Sequence, residues 1–280
     1  MSTGGIIIYL KNTSDKDVHT MFNEMKRKFT LYQLNSKKSF AYFITDTHNE
    51  EAFYATVAPA LNLERLTSLL VLYGKAGMGK THLLQATAYE ILAEDPYKDV
   101  VYVTSELVID AYRRSDEKLS SRKTYHEAEL LILDDIHFFK EDQTIWEEVF
   151  EILEYRSRNS KKTILSCDDS LYSIKNEIDS VWNGKTEYIE VGMPDYKTCI
   201  RILEKKIRQN NLQKYQISKE VIEYLAKNAS ENVRVLEGML YKIIALSNLE
   251  NAGNIDVPLI KEWLNEGSGD LYYQVENSNF

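Results

Sequence analysis

The chain has 280 residues, of which 44% are hydrophobic and 28% charged, and its formal net charge is −9. This length suits one large α/β domain or two modest ones, with enough apolar residues for a real core. The acidity excludes a basic nucleic-acid-binding body, so any such surface must be a local patch. Its two cysteines form no CxxC pair, which excludes a zinc ribbon, and no apolar run reaches the roughly 18 residues of a membrane helix.

Residues 1–28 form a short N-terminal segment with a weak pattern. Ile6–Leu10 is compatible with a strand, and the polar stretch Asp15–Lys28 with a helix. No basic region precedes the apolar run, so it is not a signal peptide. We therefore expect a cytoplasmic protein.

Apolar strands alternate with helical patterns from residue 29 to residue 194. Continuous apolar runs, typical of strands covered on both faces, occur at Leu69–Tyr73, Val100–Thr104, Leu130–Asp134, Thr163–Ser166 and Tyr188–Val191. Helical periodicity separates them at Lys80–Glu94, Ser105–Ala128 and Trp146–Arg156. Such alternation predicts an α/β domain whose parallel sheet is sandwiched by helices and built of right-handed crossovers.

The strands stop after Pro194. Four helical patterns follow, at Tyr196–Gln209, Lys219–Asn228, Val233–Ser247 and Leu259–Leu264. They predict a small all-helical lid domain over residues 195–266. Residues 267–280 have no periodicity and are expected to be a disordered tail.

The first strand runs directly into Gly74–Thr81, which matches the pattern GxxxxGK[ST] between a strand and a helix. Glycines let successive N–H groups turn toward phosphate oxygens, and the helix N-terminus adds partial positive charge. Lys80 suits the β- and γ-phosphates of ATP, and the Thr81 hydroxyl suits Mg²⁺. The predicted cofactor-binding residues are Gly74, Ala76, Gly77, Met78, Gly79, Lys80, Thr81 and His82.

Acidic residues lie at the ends of the third and fourth strands along the chain. Asp134 would hold Mg²⁺, mostly through water, and Asp135 would orient or deprotonate the attacking water. Asp168 follows the fourth strand and is a candidate to sense the γ-phosphate. A loop-capping aspartate before Ser170 is the other interpretation of Asp168.

Six segments resemble the AAA+ core of the DnaA family of bacterial replication initiators. In chain order they are Phe29–Leu31 with Phe40, Tyr73–Leu84, Val101–Glu106, Leu131–Ile136, Leu165–Asp168 and Asn232–Gly238. They cover roughly residues 28 to 265, and THLL after the phosphate loop together with NVRxLEG is specific to this family and its close relatives. The resemblance implies an ATP-binding AAA+ protein that acts in replication initiation or its regulation.

The resemblance also implies roles for two further regions. Arg234 in NVRxLEG would reach from the lid to the ATP phosphates, which suits a planar guanidinium. Ser105–Ala128 resembles an insertion that lines a single-stranded DNA channel in the family, although a solvated helical face explains it equally well. Its cations are Arg113, Arg114, Lys118, Arg122 and Lys123, interleaved with Tyr112 and Tyr125.

The chain departs from the family pattern at Ile178–Lys185, where the family places an inter-subunit arginine finger. No arginine occurs there, and Lys185 is a point charge rather than a planar fork. We therefore expect slow hydrolysis by this chain alone. The family's duplex-reading helix-turn-helix domain also has no counterpart here, so an excised core and a naturally short relative both remain open.

Three functional interpretations remain open at this stage. The leading one is the DnaA-like ATPase. The alternatives are a helicase-loader-like or transposon-type AAA+ ATPase and a nucleotide-gated adaptor with little turnover. Expected partners are ATP or ADP, single-stranded DNA, a DnaA-type initiator or other replication protein, and further copies of the chain, with no membrane.

Overall fold

The computed structural model describes residues 15–114, 123–182, 184–229, 232–250 and 255–265. Its contacts divide the chain into two units, Met1–Phe43 with Asn49–Gly192, and Ile44–His48 with Met193–Phe280. The break lies beside the boundary predicted at residues 194 and 195. That these units are separate domains stays a prediction, as does the assignment of the short segments at both ends.

Unit 1 contains a five-stranded sheet in which every strand pairs with its neighbours in parallel. The strands are β1 (Leu69–Tyr73), β2 (Val100–Thr104), β3 (Leu130–Asp134), β4 (Lys162–Cys167) and β5 (Thr186–Glu190). Their order is β2-β3-β4-β1-β5, so the strand that leads into the phosphate loop lies between β4 and β5. The α/β prediction and all five predicted strands are confirmed.

Strand register brings the functional candidates to one edge of the sheet. Tyr73 at the end of β1 is level with Cys167 on β4 and Glu190 on β5. Asp134 at the end of β3 is level with Thr104 on β2. Because parallel strands all end on the same side, the residues that follow β1, β3 and β4 meet there.

The helices of unit 1 pack against this sheet because their apolar faces need cover. They are α1 (Asp15–Leu31), α2 (Glu50–Leu61), α3 (Lys80–Glu94), α4 (Ser105–Arg113), α5 (Lys123–Glu127), α6 (Gln143–Arg158) and α7 (Leu171–Trp182). Sequence patterns did not predict α2 or α7. Pro59 lies inside α2, where it costs only one backbone hydrogen bond near the helix end. Ile6–Leu10 and residues 115–122 lie outside the described residues.

Arg156 on α6 is fully buried and has no acidic partner in the described part of unit 1. Its guanidinium donates to the Thr163 hydroxyl and to the carbonyls of Tyr125 and Ala128. Burial lowers the pKa of Arg156 to about 10. The side chain therefore ties the end of α5 to the starts of β3 and β4.

All regular secondary structure in the described residues of unit 2 is helical. Its helices are α8 (Tyr196–Gln209), α9 (Lys219–Asn228), α10 (Val233–Glu250) and α11 (Val257–Asn265). Their shared core includes Leu203, Leu225, Leu240 and Ile260. Within the described residues, no helix is long and apolar enough to span a membrane.

Candidate nucleotide site

The phosphate loop needs glycine where its backbone takes left-handed dihedrals. Gly74 has φ +138°, and a Cβ there would lie 2.5 Å from the Val191 carbonyl oxygen. Gly79 has φ +108°, and a Cβ would lie 3.0 Å from the Phe43 ring. Side chains are strained in such conformations. The loop therefore starts pressed against the end of β5 and finishes under an aromatic ring.

Lys80 begins α3 with its ammonium group folded back onto the loop. Its side chain is 5% exposed, and Nζ donates to the carbonyls of Gly74 at 2.6 Å and Lys75 at 3.0 Å. Burial lowers the pKa of Lys80, while the charges of Asp135 and Asp134 act in the opposite direction. The one buried cation of the loop is thus close enough to feel both strand-end acids.

Asp134 is held by two hydroxyl groups. Tyr102 Oη donates to its Oδ2 at 2.9 Å, and Ser166 Oγ donates to its Oδ1 at 2.5 Å. Asp134 is only 1% exposed, so little water reaches these contacts. The carboxylate at the end of β3 therefore has a defined orientation.

Asp135 takes the left-handed conformation, with φ 59° and ψ 49°. This conformation is uncommon for a residue with a side chain, although aspartate tolerates it better than most. Its N–H donates to Ser166 Oγ at 2.8 Å, and a 3₁₀ helix, Ile136–Glu141, follows directly. The backbone thus turns sharply after β3, so the side chains of Asp134 and Asp135 point in different directions.

Asp168 performs the capping role considered in the sequence analysis. Its Oδ1 accepts hydrogen bonds from the backbone N–H and hydroxyl of Ser170, just before α7. Its Oδ2 lies 3.7 Å from His137 Nε2. Although partial burial acts in the opposite direction, the hydrogen bonds from Ser170 hold the pKa of Asp168 below its usual range. A sensing role stays a prediction that this geometry does not oppose, because Oδ2 is not part of the cap.

Thr81 and His82 complete the first turn of α3, and both are half-buried. The His82 ring meets Phe43 edge-on, with centroids 5.3 Å apart, and its Nε2 lies 3.0 Å from the Ser39 carbonyl oxygen. His82 therefore links α3 to the segment that precedes α2.

Arg234 lies in unit 2, in the first turn of α10. Asn232 caps this helix by accepting a hydrogen bond from the Val235 N–H at 2.8 Å, and Leu236 is buried in the core. Arg234 itself is exposed. The NVRxLEG motif thus combines a helix cap, a core residue and an outward-facing guanidinium.

The predicted nucleic-acid residues are only partly described. Arg113, Arg114 and Lys123 are exposed, and Arg114 pairs with Asp110 at 2.8 Å. Lys118 and Arg122 lie outside the described residues. The two interleaved tyrosines, Tyr112 and Tyr125, are half-buried and pack against the core of unit 1. This packing leaves less ring surface for base stacking than the sequence suggests.

The segment Ile178–Lys185 closes α7 and leads into β5. Ile178 and Trp182 face the core, whereas Lys185 is exposed. Arg201, further along the chain, is exposed on α8. In the described part of this segment, the exposed cation at the position of the family's arginine finger is a lysine, Lys185.

Sequence reasoning missed the hydroxyl partners of Asp134. Tyr102 is in the middle of β2 and Ser166 near the end of β4, where both resemble ordinary strand residues. A tyrosine within a buried apolar strand was the one indication in the sequence, since a buried tyrosine hydroxyl usually has a hydrogen-bond partner. Identifying that partner required the strand order.

A phosphate loop after the first strand, an acidic end to β3 and a following helical unit define the P-loop AAA+ class of ATPases. Residues 34–185 match the family described as the bacterial DnaA ATPase domain, which is more than half of the chain. The chain belongs to this family. The resemblance inferred from the motifs is therefore confirmed, which favours the DnaA-like interpretation over the loader-like and transposon-type alternatives.

Curated relatives support the same assignment. The chromosomal replication initiator protein DnaA of Lachnoclostridium phytofermentans is 31% identical over 269 residues, covering 93% of this chain and 58% of the relative. DnaA of Lactobacillus johnsonii is 34% identical over 238 residues, covering 83% and 51%. The chain thus spans just over half the length of these relatives.

Solved structures agree with the fold. DnaA from Aquifex aeolicus bound to AMPPCP has 29% identity and a TM-score of 0.62, covering 78% of this chain and 68% of that one. A DnaA bound to AMPPCP and single-stranded DNA has 29% identity and a TM-score of 0.61, covering 79% and 66%. Domain III of Thermotoga maritima DnaA, at 22% identity, matches in fold with a TM-score of 0.72, covering 83% and 98%.

Proposed function

We propose that this chain binds Mg·ATP at the carboxyl edge of the unit 1 sheet and hydrolyses it slowly on its own. The process it serves is the initiation of DNA replication or its regulation. The observation that carries the proposal is Lys80, buried on a glycine loop within electrostatic reach of Asp134 and Asp135. Family membership supports it, and so do relatives of known structure that are bound to an ATP analogue.

Phosphate binding follows from the loop and the start of α3. Backbone N–H groups of Gly74–Thr81 and the positive end of the helix dipole both favour a polyphosphate. Lys80 exchanges its hydrogen bonds with loop carbonyls for bonds to phosphate oxygens, which are charge-assisted and stronger. Binding therefore redirects to phosphate an ammonium group that now contacts the carbonyls of Gly74 and Lys75.

The donor set at this edge fits Mg²⁺. The Thr81 hydroxyl and the Asp134 carboxylate are hard oxygen ligands, and magnesium prefers one or two protein oxygens together with water and phosphate. These two residues would hold the ion. When bound, Mg²⁺ neutralises charge that develops on the phosphate oxygens.

Three charged residues are assigned to the reaction itself. Asp135 orients or deprotonates the attacking water, since its strained backbone fixes where the carboxylate begins. Asp168 responds to the γ-phosphate through Oδ2, the oxygen that accepts no hydrogen bond from Ser170. The exposed guanidinium of Arg234 is assigned to the ATP phosphates on the resemblance of its NVRxLEG motif, because its planar fork suits phosphate oxygens.

Slow turnover follows from the composition of Ile178–Lys185, which has no arginine. An arginine finger contributes about 10³ to 10⁵ in rate, and a lysine lacks its planar fork. A partner with its own finger would accelerate hydrolysis here, whereas self-association would not. The same observation favours a second candidate function, a nucleotide-gated adaptor that binds ATP with little turnover.

The cellular setting is proposed from the relatives. Their replication role, and the single-stranded DNA bound to one of them, suggest a DnaA-type initiator, another replication protein or single-stranded DNA as partners, with self-assembly also expected. The exposed cations proposed for a DNA contact, among the described residues, are Arg113, Arg114 and Lys123. The protein is expected in the cytoplasm, where replication takes place.

Substitution of Lys80 tests nucleotide binding directly. Lys80→Ala removes a charge-assisted contact of about 1.5 to 3 kcal/mol, so affinity for a labelled ATP analogue should fall about 10- to 100-fold. Lys75→Ala is the matched control, because its exposed side chain belongs to the same loop. Equal titration curves for Lys80→Ala and the wild type would overturn the proposed function.

A further inference from the structure

We propose that Tyr102 is a positioning residue that holds the Asp134 carboxylate in the orientation required by the magnesium ion of a bound nucleotide. The inference rests on the proposed nucleotide site and extends it to β2, a strand from which no residue was predicted to belong to that site. Its basis is geometric: Tyr102 Oη donates to Asp134 Oδ2 at 2.9 Å, opposite the hydroxyl of Ser166 on Oδ1.

The direction of the Tyr102 hydrogen bond is set by a third residue. Asn35 N–H lies 3.4 Å from Gln85 Oε1, and a backbone N–H can only donate, so the amide nitrogen of Gln85 faces the other way. That nitrogen lies 3.3 Å from Tyr102 Oη and donates to it. The phenol oxygen is thus already an acceptor, and its own hydrogen is directed to Asp134.

The Ser166 hydroxyl is directed by the same logic. Its oxygen accepts the Asp135 N–H at 2.8 Å, which directs its hydrogen to Asp134 Oδ1. Each carboxylate oxygen therefore accepts one hydroxyl hydrogen and retains a further lone pair. Those lone pairs are what a magnesium-bound water needs as acceptors.

Burial makes this arrangement durable. Tyr102 and Asp134 are each 1% exposed, and Gln85 is 7% exposed, so bulk water cannot replace a lost hydroxyl. Hydrogen-bond partners behind a metal ligand commonly set its orientation and the strength of metal binding.

A purely structural role for Tyr102 predicts a different outcome. The ring fills the core between β2 and α3, and phenylalanine would fill the same space. Tyr102→Phe therefore retains packing and removes only the hydroxyl. If the hydroxyl acts through Asp134, the effect should appear only when magnesium is present.

The test measures binding of a fluorescent ATP analogue to the full chain in EDTA, and then with increasing MgCl₂. Tyr102→Phe should bind within twofold of wild type in EDTA, whereas the magnesium concentration for half-maximal effect should rise about tenfold. Ser166→Ala should shift the magnesium response in the same direction. Thermal unfolding of each variant verifies that it is folded.

Tyr188→Phe is the matched control. Tyr188 Oη also donates to an aspartate, Asp179, at 2.8 Å. Tyr188 is on β5, which is separated from β3 and Asp134 by β4 and β1. Its magnesium response should equal that of the wild type. The inference is overturned if Tyr102→Phe leaves the magnesium response unchanged, or weakens binding equally with and without magnesium.

Two further outcomes are separable. A wild-type chain that binds no nucleotide would refute the proposed function itself, and the role of Tyr102 with it. If Tyr102→Phe does not fold, Ser166→Ala decides alone, because it removes the other hydroxyl from the same carboxylate. An unchanged magnesium response in Ser166→Ala would then overturn the positioning of Asp134 by these hydroxyls.

Discussion

The strand ends of unit 1 and the first turn of α10 in unit 2 both carry groups assigned to ATP, but they are built differently. At the strand ends, Lys80 and Asp134 are buried, and each has defined hydrogen-bond partners. On α10, Arg234 is exposed, and only the helix cap at Asn232 is fixed. Hydrogen bonds within the fold fix the side chains of the first region, whereas the second offers an exposed charge.

This difference predicts that substitutions in the two regions affect folding stability and ATP binding to different extents. A group buried on a sheet edge cannot be changed without disturbing its partners, because strand register sets them all together. An exposed helix residue can be changed with little effect on folding, typically within about 0.5 kcal/mol. Substitutions at the strand ends should therefore alter both folding and binding, whereas substitution of the exposed Arg234 should alter binding alone.

The largest effect is expected at the loop glycine that touches β5. Gly74→Ala places a Cβ 2.5 Å from the Val191 carbonyl oxygen at φ +138°, so unfolding free energy should fall by about 2 to 5 kcal/mol. Gly238→Ala on α10 is the control, since no atom lies within 4 Å of its added Cβ. That change should stabilise the helix by about 0.5 to 1 kcal/mol.

Urea unfolding of the two glycine variants and the wild type checks this prediction. Equal stability of Gly74→Ala and wild type would show that the backbone at Val191 moves away to accommodate the added Cβ at little cost. The claim that substitutions at the strand ends of unit 1 cost more stability than substitutions on α10 would then be wrong.

An intermediate effect is expected for Arg234→Ala. Unfolding should be unchanged, while affinity for ATP should fall about tenfold through loss of charge-assisted bonds to phosphate. Affinity for ADP should fall less, because ADP lacks the γ-phosphate and so offers fewer phosphate oxygens to the guanidinium. Arg208→Ala, an exposed arginine on α8, is the control. Parallel titrations with ATP and ADP measure both effects, and equal losses for the two arginine variants would remove Arg234 from the site.

The smallest effect is expected for Lys185→Ala. This exposed residue is a poor finger, so the specific ATPase rate should change less than about twofold. The wild-type rate should also rise little with protein concentration. Rates measured over a wide concentration range decide the matter. A steep rise that disappears in Lys185→Ala would show that the lysine serves as a finger between copies of the chain.

Local patterns in the sequence were sufficient for most of the fold. The five strands were predictable because a buried parallel strand is a continuous apolar run between helices, as at Leu69–Tyr73 and Leu130–Asp134. The phosphate loop was predictable because its chemistry is contained in eight consecutive residues. Helix α2 escaped prediction, because Pro59 and a mixed surface conceal its buried face.

The environment of Asp134 was decided by tertiary structure alone. Its hydroxyl partners, Tyr102 and Ser166, are each 32 residues away along the chain, one before it and one after. They meet because β3 lies between β2 and β4, an order that periodicity does not encode. The exposure of Arg234 and the half-burial of Tyr112 and Tyr125 were decided in the same way. A sequence reveals which residues can do chemistry when they are neighbours along the chain, whereas contacts between strands depend on how the whole sheet assembles.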